Sequence, residues 1–210
     1  IFNPVTGKII PWLATEWTWG ENGNSLTFKL RDDVKWSDGE PFSAADVAYT
    51  FKVLQDKFAG GGYPYVDTVT ADDPQTVTFT FSRPFAPALY EVGQQVIVPE
   101  HVWKEVAEPE KFTNENPVGT GPFTEVAVFQ PQVFELHKDP YYWQEGKPYF
   151  DGIRYPAFPN NDQVQLALVN GEIDWADIFI PDVENTFVAR SPEHHYWSAP
   201  TGIMVLFTLN

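Results

Sequence analysis

Residues 26–51 read LTFKLRDDVKWSDGEPFSAADVAYTF, and the reading of this stretch decides the fold. Leu26, Phe28 and Leu30 alternate with Thr27, Lys29 and Arg31, the two-residue period of a strand with one buried face. Ser37, Asp38 and Gly39 then turn the chain. Ser43 stands three residues before Asp46, so a serine and a carboxylate at the third helical position are placed to satisfy the free N–H groups of a helix start. Val47, Phe51 and Leu54 follow at helical spacing and extend the expected helix over 44–55. Strand, turn and capped helix in this order predict a mixed α/β chain of the α+β kind.

Working outward, two regions emerge. In the first, Val77, Phe79 and Phe81 alternate with Thr76, Thr78 and Thr80, predicting a second strand. Pro99 opens a helix expected over 100–106. Gly60, Gly61 and Gly62 form a flexible loop that leads into Tyr63 and Tyr65. The polar segment 111–116 reads as a linker. In the second region, strands over 123–128 and 133–138 flank a hairpin loop at 129–132. A helix over 162–169 is closed by Gly171 through a positive φ. A short strand over 173–176, a helix over 181–189 and strands over 195–198 and 203–209 complete the reading.

Composition excludes several classes of function. Thirteen basic residues against 29 acidic ones give a net charge of −16, which repels phosphate backbones and anionic membranes, so nucleic acid is not an expected partner. Cysteine is absent, which removes disulfides, zinc–thiolate sites and thiol chemistry. No apolar run approaches the ~20 residues of a spanning helix, and no export signal is visible.

Several blocks of this sequence resemble, in order, the signature of the family 5 solute-binding proteins of ABC transporters. The stretch 26–51 carries the strongest likeness, with Pro11-Trp12-Leu13-Ala14-Thr15-Glu16-Trp17 as a lead-in strand. Pro117-Val118-Gly119-Thr120-Gly121-Pro122-Phe123 is similar to the turn by which that family leaves its first-lobe subdomain. Pro140-Tyr141-Tyr142-Trp143, then Gly146-Lys147-Pro148-Tyr149, and then Leu168 with Gly171-Glu172-Ile173-Asp174 resemble the blocks that follow. Phe207-Thr208-Leu209-Asn210 resembles the strand before the crossover to the second lobe. The resemblance implies a type II periplasmic-binding-protein-like fold. Residues 1–116 would form the small first-lobe subdomain and 117–210 an incomplete ligand-facing domain. Members of that family run to roughly two to three times this length, so the second lobe is expected to lie outside this sequence. The implied function is capture of oligopeptides, or of oligosaccharides as the alternative, for an ABC permease. It would take place in the periplasm or outside the cell, free or lipid-anchored. No cofactor is implied.

Weighed against this, the residues offer little catalytic chemistry. Glu172 and Asp174 on a strand would share one face about 7 Å apart, as in a glycosidase pair, but they fall in a structural block of the resembled family. His194 and His195 are adjacent and would face opposite sides of a strand; with His101 and His137 they read as surface histidines, and no metal site is expected. A secreted carbohydrate-active enzyme or lectin is the rival class, supported by eight tryptophans. Trp12, Trp17, Trp36 and Trp143 are expected to pack; Trp19, Trp103, Trp175 and Trp197 include the candidates for sugar stacking. The ligand-binding candidates are Tyr63 and Tyr65, on a loop where aromatics find few core neighbours, and Gln94 and Gln95, whose neutral amides suit peptide backbones or sugar hydroxyls. The resemblance puts both segments near the cleft edge.

Overall fold

The structure is a computed structural model, and it describes residues 2–3, 6–58 and 63–196. Strands β1 (Phe2–Asn3) and β2 (Lys8–Ile9) form a small antiparallel pair. Next come β3 (Ala14–Trp19), β4 (Ser25–Leu30), helix α1 (Ala44–Lys57), β5 (Val66–Asp73) and β6 (Thr76–Phe81). The four strands make one antiparallel sheet in the order β3-β4-β6-β5. Alternation does what the sequence leads one to expect. Leu26, Phe28 and Leu30 meet Phe79 and Val77 on the buried face, and α1 lays Val47 and Phe51 over it. The opposite face carries a row of threonines in register across all four strands: Thr18, Thr27, Thr78 and Thr70. Their hydroxyls bond sideways, with Thr27 and Thr78 at 3.0 Å and Thr78 donating to Asp72 at 2.6 Å.

Asp46 earns its buried place by tying two elements together. Its Oδ2 accepts from the Ser43 N–H at 2.8 Å, the reciprocal half of the expected cap. Its Oδ1 accepts from the Glu100 N–H at 2.9 Å, and so anchors the segment that follows α2 (Ala88–Val92) at the start of α3 (Glu100–Trp103). Thr50 adds a third tie by accepting from the Val98 N–H at 3.0 Å. The helix expected over 100–106 stops at Trp103, and a 3-10 turn at Pro109–Lys111 follows.

The second region holds β7 (Phe123–Gln130), β8 (Val133–Lys138) and β9 (Gly152–Pro156) in one antiparallel sheet. The hairpin is tighter than expected, since Gln130 pairs with Val133 and only two residues turn. Its two faces differ sharply. Phe129, Phe134 and Tyr155 line up across the three strands, with Val126, Leu136 and Ile153 beside them, whereas Glu125, Glu135, His137 and Arg154 occupy the other face. Helix α4 (Asn161–Val169) begins on Asn160, whose side chain accepts from the Gln163 N–H, and ends at Gly171 with φ +69°. There the Glu172 N–H reaches the Ala167 carbonyl, the bond pattern that satisfies the last free carbonyls of a helix. Over 173–176 the expected strand is not formed, and Ile173–Ala176 pairs with no strand among the described residues. The helix expected over 181–189 is broken into α5 (Val183–Thr186) and a 3-10 turn at Val188–Arg190. The strand expected over 203–209, and most of that over 195–198, lies outside the described residues.

The regions meet where the sequence blocks converge. The Ser37 N–H donates to the Gly119 carbonyl at 2.9 Å, and the Gly119 N–H returns to Ser37 Oγ at 3.2 Å. The Tyr141 ring lies beside Gly39, whose φ of +93° is a backbone conformation that favours glycine. Trp143 meets Trp12 edge to face at 5.1 Å, with the Arg31 guanidinium 4.3 Å from the Trp143 ring centre.

Candidate functional site

A half-open cavity of about 730 Å³ lies against the buried face of the four-stranded sheet. Trp17, Phe28, Val77 and Phe79 form its floor, 117–121 with Phe134 and Leu136 one wall, and Gly93, Gln94, Gln95 and Val96 its rim. The size falls in the range of pockets that enclose small ligands. The floor follows from the alternation in β3, β4 and β6, and the rim from the ties that Asp46 and Thr50 make to 98–100.

Of the four candidates read from the sequence, the structure brings Gln94 and Gln95 to the rim. Gln94 Nε2 donates to the Tyr90 carbonyl at 3.2 Å, leaving Oε1 without a partner among the described residues. Gln95 is held at both ends: Nε2 donates to the Val96 carbonyl at 2.8 Å, and Oε1 accepts from the Tyr63 hydroxyl at 2.7 Å. Tyr63 stands behind the rim, packed on Phe51. Tyr65 is 8% exposed and belongs to the core, with its ring 4.1 Å from that of Phe85. Its hydroxyl donates to Glu91 Oε2 at 2.6 Å. The expectation that these two aromatics lack core neighbours is therefore corrected: β5 begins at Val66, which carries Tyr65 under the sheet. Burial, reinforced by the Glu91 carboxylate, pushes both phenols above the ordinary tyrosine range.

The remaining candidates are accounted for locally. His101 Nε2 lies 2.7 Å from Asp38, His194 stacks on Phe187, and the two ring nitrogens of His137 face different carboxylates, Glu135 at 3.1 Å and Glu125 at 3.9 Å. No group of side chains among the described residues could hold a metal ion. Glu172 accepts from the Asn170 side chain in the turn after α4, so no strand aligns it with Asp174. Trp19 packs on Phe81 and Trp103 on Phe112, whereas Trp175 is 75% exposed. Trp197 lies outside the described residues. Val96, Asn114 and Thr120 line the cavity and were not anticipated. An apolar Val96 directly after a glutamine pair is the local signal that could have found it.

Residues 8–210 match the family described as bacterial extracellular solute-binding proteins, family 5 middle. The chain belongs to that family. Among its relatives, the nickel-binding periplasmic protein of Escherichia coli K12 is 32% identical over 177 residues, covering 80% of this chain and 33% of its own length. A probable D,D-dipeptide-binding periplasmic protein of the same organism is 32% identical over 180 residues, 82% of this chain and 34% of its own. The solved periplasmic oligopeptide-binding protein of Thermotoga maritima superposes with a TM-score of 0.78 at 29% identity, covering 90% of this chain and 37% of that one. The family 5 chain thus spans about a third of the length of these relatives. They are solute-binding proteins of transport and not enzymes, and family members work outside the cytoplasmic membrane. No described helix is long and apolar enough to cross a membrane.

Proposed function

We propose that this family 5 chain contributes part of the ligand cleft of an ABC importer's binding protein, one that captures oligopeptides outside the cytoplasmic membrane and delivers them to the permease. In this reading residues 1–116 are the first-lobe subdomain and 117–210 part of the ligand-facing domain. A second lobe closes over the solute, and the permease recognises the closed form. The protein is a binder without catalytic activity, either free or lipid-anchored. The observation that carries the reading is the rim of the cavity. Gln94 offers an unoccupied amide oxygen beside an apolar recess, the pairing of acceptor and hydrophobic wall that suits a peptide N–H next to a side chain. Gln95 sets the rim's shape and Tyr63 holds Gln95; Tyr65 meets the Tyr63 ring edge to face from the core.

Native mass spectrometry of the full-length protein tests this directly. Co-purified peptides, released on denaturation, are the expected result. A bound oligosaccharide would replace the reading with its sugar-binding alternative, for which Trp12, Trp17 and Trp103 in the cavity lining would supply the stacking surface. Turnover of a glycan substrate would overturn it altogether.

A further inference from the structure

Among the described residues three buried side-chain atoms have no hydrogen-bond partner: Trp36 Nε1, Trp143 Nε1 and Asp139 Oδ2. All three belong to the segments that join the two regions, 35–41 on one side and 139–143 on the other. Buried polar atoms are nearly always paired, so three orphans in one joint call for an explanation. The indoles are neutral, and each forgoes one bond. Asp139 differs, because its carboxyl carries a charge whenever it ionises. The residue is 4% exposed. Its Oδ1 accepts from the Tyr141 N–H at 2.8 Å, and that bond alone favours the charged form. No cation pairs with it. Lys138 is turned to Asp151 at 2.6 Å, Arg154 lies against Glu135, and the ring nitrogens of His137 face Glu135 and Glu125. From the first region, Arg31 is held by Asp33, and Lys35 lies over the Tyr141 ring, 5.8 Å from its centre. Tyr141 and Tyr142, the other titratable neighbours, bring no positive charge.

We propose that Asp139 makes this joint proton-sensitive, seated while the carboxyl is neutral and loosened once it ionises. A buried charge without a counter-ion is costly, and the carboxylate regains water only if the turn 139–142 moves outward. That turn does not move alone. The Asp139 N–H donates to the Pro122 carbonyl at 2.9 Å, and the adjoining Gly119 exchanges two bonds with Ser37. Ionisation therefore weakens the seat of 117–210 on 1–116, and acid tightens it. Burial raises the carboxyl above its ordinary value of 3.8, so the contribution of the neutral form is complete below that value and lost as pH rises through the folded one. Family members work outside the cytoplasmic membrane, so the joint meets the acidity of the surroundings.

The test is hydrogen–deuterium exchange of the full-length protein at pH 4 and pH 7, corrected for intrinsic amide rates, in wild type and in Asp139→Asn. In wild type, protection of peptides covering 35–41, 117–124 and 138–144 should fall at least threefold between the two pH values, while peptides from β4 and β6 change less. In Asp139→Asn the fall should stay below threefold, because the amide is neutral at both pH values and keeps the acceptor for the Tyr141 N–H. A wild-type fall below threefold would overturn the proposal, and so would a fall shared equally by β4 and β6. A fall of threefold or more in Asp139→Asn would assign the effect to another group. An Asp139→Asn protein that melts below wild type at pH 7 would overturn the proposal as well, since a neutral side chain should seat the joint better than an ionised one.

Discussion

Tyr63 and Tyr65 sit two residues apart and do different work, so replacing each by Phe should separate stability from binding. Tyr65→Phe removes the 2.6 Å bond to Glu91. A bond to a charged partner is worth about 1.5–3 kcal/mol, and the exposure of Glu91 favours the lower end, so a loss of about 1.5 kcal/mol is expected. For a chain of this size that is a fall of about 3–6 °C in melting temperature. Binding should change less than twofold, because Tyr65 lies outside the cavity lining. Tyr63→Phe removes a neutral bond to Gln95, worth about 1 kcal/mol of stability. It also frees a flexible side chain at the rim, which the ligand must then order at a cost of about 0.5–1.5 kcal/mol, a two- to twelvefold loss of affinity. Thermal melts followed by tryptophan fluorescence, paired with calorimetry using a peptide that co-purifies with the full-length protein, measure both quantities. If Tyr65→Phe weakens binding as much as Tyr63→Phe while melting normally, the division between core tyrosine and rim support is wrong.

Three further outcomes follow from the packing. Asp46→Ala should cost about 3 kcal/mol in urea unfolding, since two N–H groups lose a charged acceptor; a loss below 1 kcal/mol would contradict the tie between α1 and α3. Asp139 is 4% exposed, and burial raises its carboxyl above the ordinary value of 3.8, so the folded state holds the proton more tightly than the unfolded chain does. The stability that the protonated form contributes is present below that value and lost as pH rises through the folded one. Asp139→Asn, which keeps the acceptor for the Tyr141 N–H, should therefore melt about 2–4 °C higher than wild type at pH 7, with the gap closing toward pH 4; a lower melting point at every pH would refute this. Gly171→Ala should cost about 1–2 kcal/mol from its positive φ alone, since a methyl group there meets open space, and an unchanged unfolding midpoint would count against the helix-ending geometry.

What was legible in the sequence was whatever a short-range period could encode. The alternations in 26–30 and 76–81, the Ser43–Asp46 cap and the closing Gly171 all depend on neighbours within five residues. β5 escaped notice because Asp67, Asp72 and Asp73 disguise a strand whose outer side is solvated. α2 is five residues long and follows Pro84 and Pro87, too short for a period to register. Tyr65 was misjudged because the ring that buries it, Phe85, is twenty positions away, and nothing local announces that contact. The cavity floor posed the opposite difficulty. The pattern of Trp17, Phe28 and Val77 marks a face turned from water, but whether protein or empty space covers it depends on where 93–99 and 117–121 return.

In the four-stranded sheet, the central β4–β6 pairing runs without interruption, whereas both outer strands lose register: β3 between Ala14 and Glu16, β5 between Val66 and Thr68 and again between Ala71 and Asp73. An even edge would offer its free N–H and C=O groups to any extended peptide, whatever its side chains. Displaced by these slips and flanked on β5 by aspartates, the margins of this sheet make poor templates for a further strand. The sheet is thereby spared the indiscriminate adhesion to extended chains that its own backbone would otherwise invite.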